Sequence, residues 1–350
     1  MQTLQTSQTS QTSQTSQTET NAGRFHAIAD RVLDGTAPTR EEAHAILSVP
    51  EPGFEELLAA TLRIRERRWG RGVKLCMLQN ARSGLCPEDC SYCSQSKISS
   101  AEIDTYTLLE RGRLIEGAKQ AQLRGARRYC MVTSGRGPSE RDIDEFCATT
   151  RAIKNEYPDL EICVSLGLMD DEKAVKLKES GVGWINHNLN TSERHHDAIC
   201  STHTYADRVA TVQAAQRAGM NTCCGGIIGM GENDEDIVQL GFALRELGVD
   251  SLPVNFLHAI DGTPLEDEPQ VSTGRALRAL CLMRFLNPDA DIRAAGGSER
   301  ALGEHEHLAL NAANSIFVSG YLTTSGRSAE AAHRMIEERG FHVDGTELEA

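Results

Sequence analysis

The sequence has no excess of basic residues and no long apolar run. Lys and Arg total 36 against 50 Asp and Glu, which gives a formal net charge of −14 at pH 7. A chain of this sign repels phosphate backbones and anionic lipids, so a small-molecule substrate is favoured over a nucleic acid or a membrane surface. No window approaches about 18 consecutive apolar residues, and we therefore expect no membrane-spanning helix.

We also expect no signal peptide, although the chain contains eleven cysteines. The number is odd and the chain is enzyme-sized, so the pattern is not that of a small secreted domain held together by disulfides. We expect free thiols and, with them, a reducing cytoplasm. A length of 350 residues allows one large α/β domain or two smaller ones.

The N-terminal part of the chain lacks the apolar pattern of a folded segment. Residues 1–22 largely repeat Gln-Thr-Ser and cannot bury enough surface to offset chain entropy, which predicts a disordered tail. A helical pattern begins at Phe25 and predicts two or three lead-in helices over residues 23–68. Thr39 is the expected N-cap of one of them, because acidic residues follow it in the first turn.

A weak repeat then alternates helices with short apolar strands. Gly125, Gly181, Gly219 and Gly248 each end a polar helical run just before a strand, as helix-terminating glycines do. The pattern predicts a parallel (β/α)8 TIM-type barrel core over 69–298, with the last strand and a C-terminal cap over 299–350. A doubly wound sheet is the main alternative. The predicted strands are 73–78, 129–132, 160–166, 184–185, 223–224, 252–254, 292–295 and 315–318.

The loop after the first predicted strand holds three cysteines and lacks a fourth. Cys86, Cys90 and Cys93 are spaced Cys-x3-Cys-x2-Cys, and the next cysteine is Cys130. A structural zinc site needs four ligands, and the bacterial ferredoxin run uses two-residue gaps. A [4Fe-4S] cluster on three cysteines leaves one iron open, as a catalytic metal site requires. A chance run or an incomplete zinc knuckle is the plain alternative.

Three further cysteines and one arginine fall inside predicted strands. Cys130, Cys163, Cys223 and Arg293 lie on four different strands, and side chains of suitable parity would meet in the barrel lumen. Three thiolates and one other donor could hold a [2Fe-2S] cluster there. Ordinary buried core cysteines are the alternative, and the residues alone favour that alternative.

The cysteine loop resembles the cluster loop of the radical S-adenosylmethionine (SAM) superfamily. The longer string Gly-Leu-Cys-Pro-Glu-Asp-Cys-Ser-Tyr-Cys-Ser-Gln-Ser is similar to that of the biotin synthase family within it. The resemblance spans roughly residues 25–345 and implies that SAM chelates the open iron through its amino and carboxylate groups. An electron from the cluster would then cleave SAM to methionine and a 5′-deoxyadenosyl radical.

The same resemblance implies a second cluster. Biotin synthases hold a sulfur-donating [2Fe-2S] cluster with three strand cysteines and an arginine, and the segments Tyr-Cys-Met, Glu-Ile-Cys, Thr-Cys-Cys-Gly-Gly and Asp-Ile-Arg match that pattern in order. This assigns Cys130, Cys163, Cys223 and Arg293 as ligands. It also favours Cys223 over the adjacent Cys224.

Amide side chains follow the fourth predicted strand in the string Ile-Asn-His-Asn-Leu-Asn-Thr-Ser. They offer the donors and acceptors that a neutral polar ligand such as a ureido ring needs, although a polar turn is the alternative. The resemblance implies SAM contacts from Tyr92, Asn188 and Asn190, with Asn190 in the place of a family aspartate. It implies substrate contacts from Asn186, Asn188 and Asn255.

The implied reaction turns dethiobiotin into biotin by two hydrogen abstractions at unactivated carbons. Such carbons have no acidic proton, so radical chemistry of a cofactor must supply what side chains lack. The expected partners are dethiobiotin, an electron donor such as flavodoxin or ferredoxin, and a second copy of the chain in a homodimer. Another radical SAM enzyme of this barrel type and an electron-transfer iron–sulfur protein are the alternatives, and the second of these would need a fourth cysteine near the loop.

One histidine group stays outside these sites. His195, His196 and His203 are expected to lie on a surface loop rather than to bind a metal.

Overall fold

The computed structural model of the protein describes residues 23–318 and 328–344, together with Leu322 and Gly326. The predicted tail, residues 1–22, lies outside the described residues. The strands are β1 Gly72–Arg82, β2 Arg128–Thr133, β3 Glu161–Ser165, β4 Trp184–Asn186, β5 Asn221–Cys223, β6 Gly226–Ile228, β7 Ser251–Phe256, β8 Asp291–Ala294, β9 Ser315–Phe317 and β10 His342–Val343.

The strands form a closed parallel barrel. Neighbours follow the order β1-β2-β3-β4-β5-β7-β8-β9, and β9 pairs with β1 to close the ring. The predicted (β/α)8 barrel is therefore confirmed over a doubly wound sheet, which would leave two open edges. Outside the ring, β10 pairs with the start of β1 through Gly72 and Val73.

Helices precede the barrel and alternate with its strands, which is the arrangement that parallel neighbours require. They are α1 Arg24–Leu33, α2 Arg40–Ser48, α3 Glu51–Trp69, α4 Arg111–Leu123, α5 Glu140–Glu156, α6 Asp171–Glu179, α7 Glu193–Ile199, α8 Tyr205–Arg217, α9 Asp234–Glu246, α10 Thr273–Leu286, α11 Ser298–Leu302 and α12 Ala329–Glu338, with a 3-10 helix at Gly303–Asn311. None of the helices in the described ranges is long and apolar enough to cross a membrane.

The predicted helix ends are confirmed by the backbone. Gly125, Gly181, Gly219 and Gly248 have φ angles between 63° and 103°, a left-handed conformation that residues with a Cβ rarely adopt. At the other end of a helix, Thr39 accepts a hydrogen bond from the Glu42 N–H in a capping box. These local signals place the helices so that each returns the chain to the start of the next strand.

Side chains alternate between the two faces of the barrel wall. The residues that point outward pack against the helices in an apolar shell and are 0–1% exposed: Tyr129, Ile162, Ile185, Leu252 and Ile292. The residues that point inward include many polar, charged and thiol-bearing side chains, with a few apolar ones such as Leu78 and Val132 among them. The apolar core therefore lies between the strands and the helices, and the lumen holds the side chains that could bind metals or substrate.

The fifth position of the barrel is occupied by two short strands instead of one. β5 and β6 are separated by Cys224 and Gly225, and both pair with β7. At the break the Gly225 N–H donates to the Asn188 side-chain oxygen at 3.0 Å, so it is not left unpaired. A Cβ on Gly225 would lie 1.9 Å from the Pro253 carbonyl oxygen, and only glycine fits this close approach.

We predict that Gly225→Ala lowers the free energy of unfolding by about 1–3 kcal/mol or more, because the new methyl group must displace backbone rather than a flexible side chain. Gly112→Ala is the matched control, since a Cβ there meets nothing within 4 Å and lies in α4. It should be neutral or slightly stabilising. Denaturant unfolding of both variants measures the difference, and equal midpoints would contradict a close approach at the break.

Candidate active site

A cavity of about 320 Å³ extends from the barrel interior to the loops after the strands. This is the C-terminal face, where barrel enzymes build their sites. All the residues that the sequence predicted for metal, cofactor or substrate contacts line it: Cys86, Cys90, Tyr92, Cys93, Cys130, Cys163, Asn186, Asn188, Asn190, Cys223, Asn255 and Arg293.

The cysteine loop is held in place by the two acidic residues within it. The Glu88 carboxylate accepts hydrogen bonds from the Thr202 hydroxyl at 2.7 Å and from Arg136 at 3.3 Å. Asp89 accepts from the Ser201 N–H at 2.9 Å and from the Thr202 N–H at 3.2 Å. The Glu-Asp pair between the first two cysteines thus fastens the loop to the segment that follows α7.

The thiols of this loop sit among backbone donors. Nearby backbone N–H groups, those of Glu88 and Gly135 for Cys86 and those of Gln95 and Ser96 for Cys93, act to lower the pKa of these thiols. Burial outweighs these donors and raises the pKa of the Cys93 thiol to about 11. Thiolate ligands of iron are stabilised by such N–H groups, and the donor set of three thiols fits a cubane cluster with one open iron.

Tyr92 and Asn190, two of the three predicted SAM contacts, touch each other. With the Asn190 amide oxygen facing them, the Tyr92 hydroxyl donates at 2.5 Å and the Arg208 guanidinium donates at 3.2 Å. Asn190 has φ of 71°, a left-handed value that asparagine tolerates better than most residues. The backbone strain at Asn190 aims its amide at the tyrosine.

Arg208 is a site residue that the sequence analysis missed. It lies on α8, is 6% exposed, and donates through Nη1 to the Asn188 carbonyl at 2.9 Å. Desolvation lowers the pKa of Arg208, but the neighbouring Tyr92 and Cys90 outweigh it and raise the pKa above its ordinary value. The result is a buried permanent cation next to the cysteine loop. No helical pattern in the sequence distinguishes this arginine from a solvent-facing one.

The predicted substrate amides brace the cavity wall. Asn188 accepts from the Gly225 N–H, and Asn186 Nδ2 lies 3.3 Å from Cys223 Sγ. The Asn255 side chain donates to the Gly226 carbonyl at 3.1 Å and accepts from the Gly296 N–H at 3.0 Å. These amides are therefore oriented by the backbone before any ligand enters.

Inside the barrel, the strand cysteines meet as their parity requires. Cys130 and Cys163 are register partners on β2 and β3, with their sulfur atoms 3.2 Å apart. Cys223 Sγ lies 3.4 Å from Arg293 Nη1, whereas Cys224 is fully buried in the apolar shell. Ser315 accepts from Arg293 Nε at 2.9 Å and so fixes the guanidinium plane. Three thiols and a held guanidinium face one space.

A charged layer lies beneath these thiols. Asp291 is 3.3 Å from Lys74, 3.7 Å from Arg128 and 3.7 Å from Arg293. Burial raises the pKa of Asp291, but the cations Arg293, Lys74 and Arg128 outweigh it and hold the pKa below its usual value. Because these cations outnumber Asp291 and the nearby Glu161, the layer favours anionic groups such as thiolates in the lumen above it.

The lumen also holds residues that strand parity could have revealed. Arg128 has the parity of Cys130 on β2, and its guanidinium stacks 3.4 Å above the Trp184 ring. Cys76 on β1 is a fourth lumen thiol, 3.5 Å from the Ser315 hydroxyl. Both residues could have been predicted from the sequence. Each is a charged or thiol-bearing residue inside an apolar strand and lies two residues from another inward-facing position.

The expectation of a surface loop is wrong for His196 and His203. Their exposed fractions are 0% and 8%, and His203 Nδ1 lies 2.5 Å from the Glu88 carboxylate. His196 ends up on the inner face of the short helix α7. A seven-residue helix gives too little periodicity for its buried face to be read from the sequence.

Two family models match the chain. Residues 82–242 match the Radical SAM superfamily, and residues 253–342 match the Biotin and Thiamin Synthesis associated domain. The chain is 49% identical over 324 residues to a biotin synthase of Rhodopirellula baltica, which covers 93% of this chain and 90% of that protein. A biotin synthase of Bacillus velezensis is 47% identical over 320 residues, 91% of this chain and 94% of its own.

A solved structure is also similar to this chain in its fold. The crystal structure of methylornithine synthase matches with a TM-score of 0.80 at 22% identity, and it covers 90% of this chain and 97% of that one. At this identity the likeness concerns the fold alone.

We predict that Asp291→Asn lowers the free energy of unfolding by about 3–5 kcal/mol at pH 7, because it leaves buried cations without their counter-charge. The folded pKa of Asp291 is depressed, so its contribution is complete above the unfolded value of about 3.9 and is lost as the pH falls through the folded one. The difference in the free energy of unfolding between wild type and variant should stay constant from about pH 8 to pH 5 and become smaller below about pH 4.

The matched control is Asp289→Asn, whose side chain is 75% exposed and should change stability by less than about 0.5 kcal/mol. Denaturant unfolding at several pH values makes the comparison. If the difference in the free energy of unfolding between wild type and Asp291→Asn grew as the pH fell, a depressed pKa of Asp291 in the folded protein would be contradicted.

Proposed function

Since this chain belongs to the biotin synthase family of radical SAM enzymes, we propose that it inserts sulfur into dethiobiotin to form biotin. The observation that carries the proposal is the presence of two separate thiol sets in one cavity. Cys86, Cys90 and Cys93 come from the loop after β1, and Cys130, Cys163 and Cys223 come from the barrel wall. A radical SAM enzyme that moved no sulfur would need only the first set.

The loop set is the proposed site of the [4Fe-4S] cluster and SAM, both of which the superfamily implies. When bound, the cluster and SAM supply a 5′-deoxyadenosyl radical, which abstracts hydrogen where no acidic proton exists. The protein contributes three thiolates, backbone donors to their sulfur atoms, and an attachment through Glu88 and Asp89. The fit rests on the donor set, since three thiols without a fourth leave one iron open.

Tyr92, Asn188 and Asn190 are the proposed SAM contacts. The Tyr92–Asn190 hydrogen bond and the buried Arg208, which donates to the Asn190 amide and to the Asn188 carbonyl, fix these groups before SAM arrives and reduce the entropy lost on binding. The cation of Arg208 also favours an anionic group, such as a carboxylate, at this end of the cavity.

The strand set is the proposed site of a [2Fe-2S] cluster that serves as the sulfur source, with Arg293 as the fourth ligand. The thiols of Cys130, Cys163 and Cys223 suit such a cluster, and the excess of cations beneath them offsets its negative charge. Desolvation lowers the pKa of Arg293, but Cys76, Cys223 and Asp291 outweigh it and raise the pKa. Arg293 is thereby kept at the thiols by charge as well as by Ser315.

Dethiobiotin is proposed to lie between the two sets, where Asn186, Asn188 and Asn255 provide amide contacts for its ureido ring. The cavity is continuous from the loop to the lumen, so one small substrate can face both. Apolar side chains at the mouth, Phe256 and Leu257, are less than 10% exposed and keep water from the reacting carbons.

The reaction needs an external electron donor, for which we propose a flavodoxin or a ferredoxin. We also propose a homodimer in the cytoplasm. All eleven cysteines are free thiols, which suits a reducing compartment. The homodimer and the donor rest on resemblance to the family.

Replacement of Cys86, Cys90 or Cys93 by Ala should abolish formation of 5′-deoxyadenosine, because two thiolates do not hold a cubane with an open iron. Cys147→Ala is the control, since this buried thiol lies on α5 outside the cavity. Anaerobically reconstituted proteins are assayed for 5′-deoxyadenosine and iron. Product at the wild-type rate in any loop variant would refute the assignment.

Variants of the adjacent residues Cys223 and Cys224 test whether the strand cysteines are cluster ligands or ordinary core residues. Cys223→Ala should lose biotin formation and the second cluster while reductive SAM cleavage persists, and Cys224→Ala should retain all three, because only Cys223 faces the lumen. Iron should fall from about six per chain to about four in Cys223→Ala. Arg293→Ala should be milder, since arginine adds little metal affinity beside a thiolate.

Visible absorption, iron, 5′-deoxyadenosine and biotin are measured on the same samples. A normal yield of biotin from Cys223→Ala would show that the strand cysteines are ordinary core residues and not cluster ligands. Four irons in the wild-type protein would instead favour a different radical SAM reaction.

A further inference from the structure

Cys200 is a buried thiol that the proposed reaction does not use. It follows α7, is 3% exposed, and its sulfur lies 3.7 Å from that of Cys90. Cys90 lines the cavity, whereas Cys200 does not. Cys200 therefore contacts Cys90 from the side that faces away from the SAM site, and it is not placed to serve as a ligand of the open iron.

A third soft donor completes this group. His203 is 8% exposed and its ring nitrogens Nδ1 and Nε2 lie 3.4 Å and 3.7 Å from Cys200 Sγ. One ligand atom from each of Cys90, Cys200 and His203 can be chosen so that all three lie within 4.8 Å of one another. Two thiols and an imidazole are the donors that Zn²⁺ and similar divalent cations prefer.

The spacings match tetrahedral coordination. With metal–sulfur bonds of about 2.3 Å and metal–nitrogen bonds of about 2.0–2.1 Å, two sulfur ligands lie about 3.8 Å apart, and a sulfur and a nitrogen lie about 3.5 Å apart. The Cys90 Sγ–Cys200 Sγ distance of 3.7 Å and the Cys200 Sγ–His203 Nε2 distance of 3.7 Å agree with these values. With all three ligand atoms within 4.8 Å of one another, the donors are close enough to share one ion.

The histidine is oriented by a carboxylate, as metal-bound histidines usually are. His203 Nδ1 lies 2.5 Å from Glu88 Oε2, so its proton is directed to Glu88 and Nε2 keeps a free lone pair. The Asp89 carboxylate, 3.3 Å from Cys200 Sγ, adds negative charge beside the thiols. Both acidic residues thus favour a cation at this position.

We propose that, in the protein without its iron–sulfur clusters, Cys90, Cys200 and His203 bind one thiophilic divalent cation such as Zn²⁺, with water in the fourth position. Cys90 belongs to this set and to the cluster loop, so the ion and the [4Fe-4S] cluster exclude each other. The ion occupies the loop until cluster assembly displaces it. The inference depends on the proposed function only through the role of Cys90.

The test uses the full-length chain, freed of iron by a chelator and kept under a thiol-free reductant so that no disulfide forms. Co²⁺ is titrated in, and one equivalent should give thiolate-to-cobalt charge-transfer absorption and the visible bands of a tetrahedral site. Zn²⁺ should displace it. Cys200→Ser and His203→Asn should each weaken Co²⁺ binding by about 100-fold or more, since even second-shell changes cost 10–100-fold.

Cys86→Ser and Cys93→Ser are the matched controls, because they belong to the cluster loop but not to the proposed set. They should leave Co²⁺ binding unchanged. Loss of the signal in these variants with retention in Cys200→Ser would overturn the proposal in favour of an ion on the loop triad. Absence of thiolate–cobalt bands in the wild type would overturn it as well.

A second measurement separates this inference from the proposed reaction. Bound Zn²⁺ should slow the return of cluster absorption during anaerobic reconstitution of the wild type, but not of Cys200→Ser. Equal slowing in both proteins would count against the shared role of Cys90. Biotin formation is not read in either arm, so the outcome stands whether or not dethiobiotin is the substrate.

Discussion

The closed barrel wall turns every second side chain of its strands into one confined lumen, and the chemistry of this protein depends on that alternation. A typical barrel interior is filled with branched apolar residues. In this protein the inward positions include Cys76, Cys130, Cys163, Cys223 and Arg293, and a continuous apolar shell lies outside, against the helices. Stability is thus supplied by the outer shell, which leaves the lumen free for groups that would weaken an ordinary core.

Such a lumen must balance charge within a low dielectric. The cations at Lys74, Arg128 and Arg293 surround the Asp291 carboxylate, and their excess of positive charge lies beneath thiols that become anions when they bind a metal. The same arrangement keeps Arg293 charged and close to Cys223. The fold therefore prepares the lumen for a negatively charged group through residues that never touch the substrate.

The loop site follows a different physical logic. Its thiols lie on irregular backbone, which would be mobile if Glu88 and Asp89 did not tie it to the segment around Thr202 and His203. The two acidic residues between the cysteines are therefore structural as well as electrostatic. Their attachment also brings Cys200 to Cys90, and this contact gives the loop a second set of metal ligands.

The sequence determined the features that depend on short-range patterns. Glycine stops and apolar strands predicted the barrel, and the spacing of Cys86, Cys90 and Cys93 predicted a three-thiol loop after the first strand. Family resemblance selected Cys223 over Cys224, and the structure places these two residues on opposite faces of the wall. These patterns are local, so they can be interpreted from the sequence without knowing which segments contact each other in the folded protein.

Only the tertiary structure decided which distant residues surround these groups. Arg208 and His203 come from segments more than a hundred residues beyond the cysteine loop, and no periodicity marks them as buried or as neighbours of Tyr92 and Glu88. The break between β5 and β6 likewise depends on the Pro253 carbonyl of another strand. Local sequence sets the conformation of each segment, but contacts between segments are fixed by closure of the barrel, which the chain encodes only as a whole.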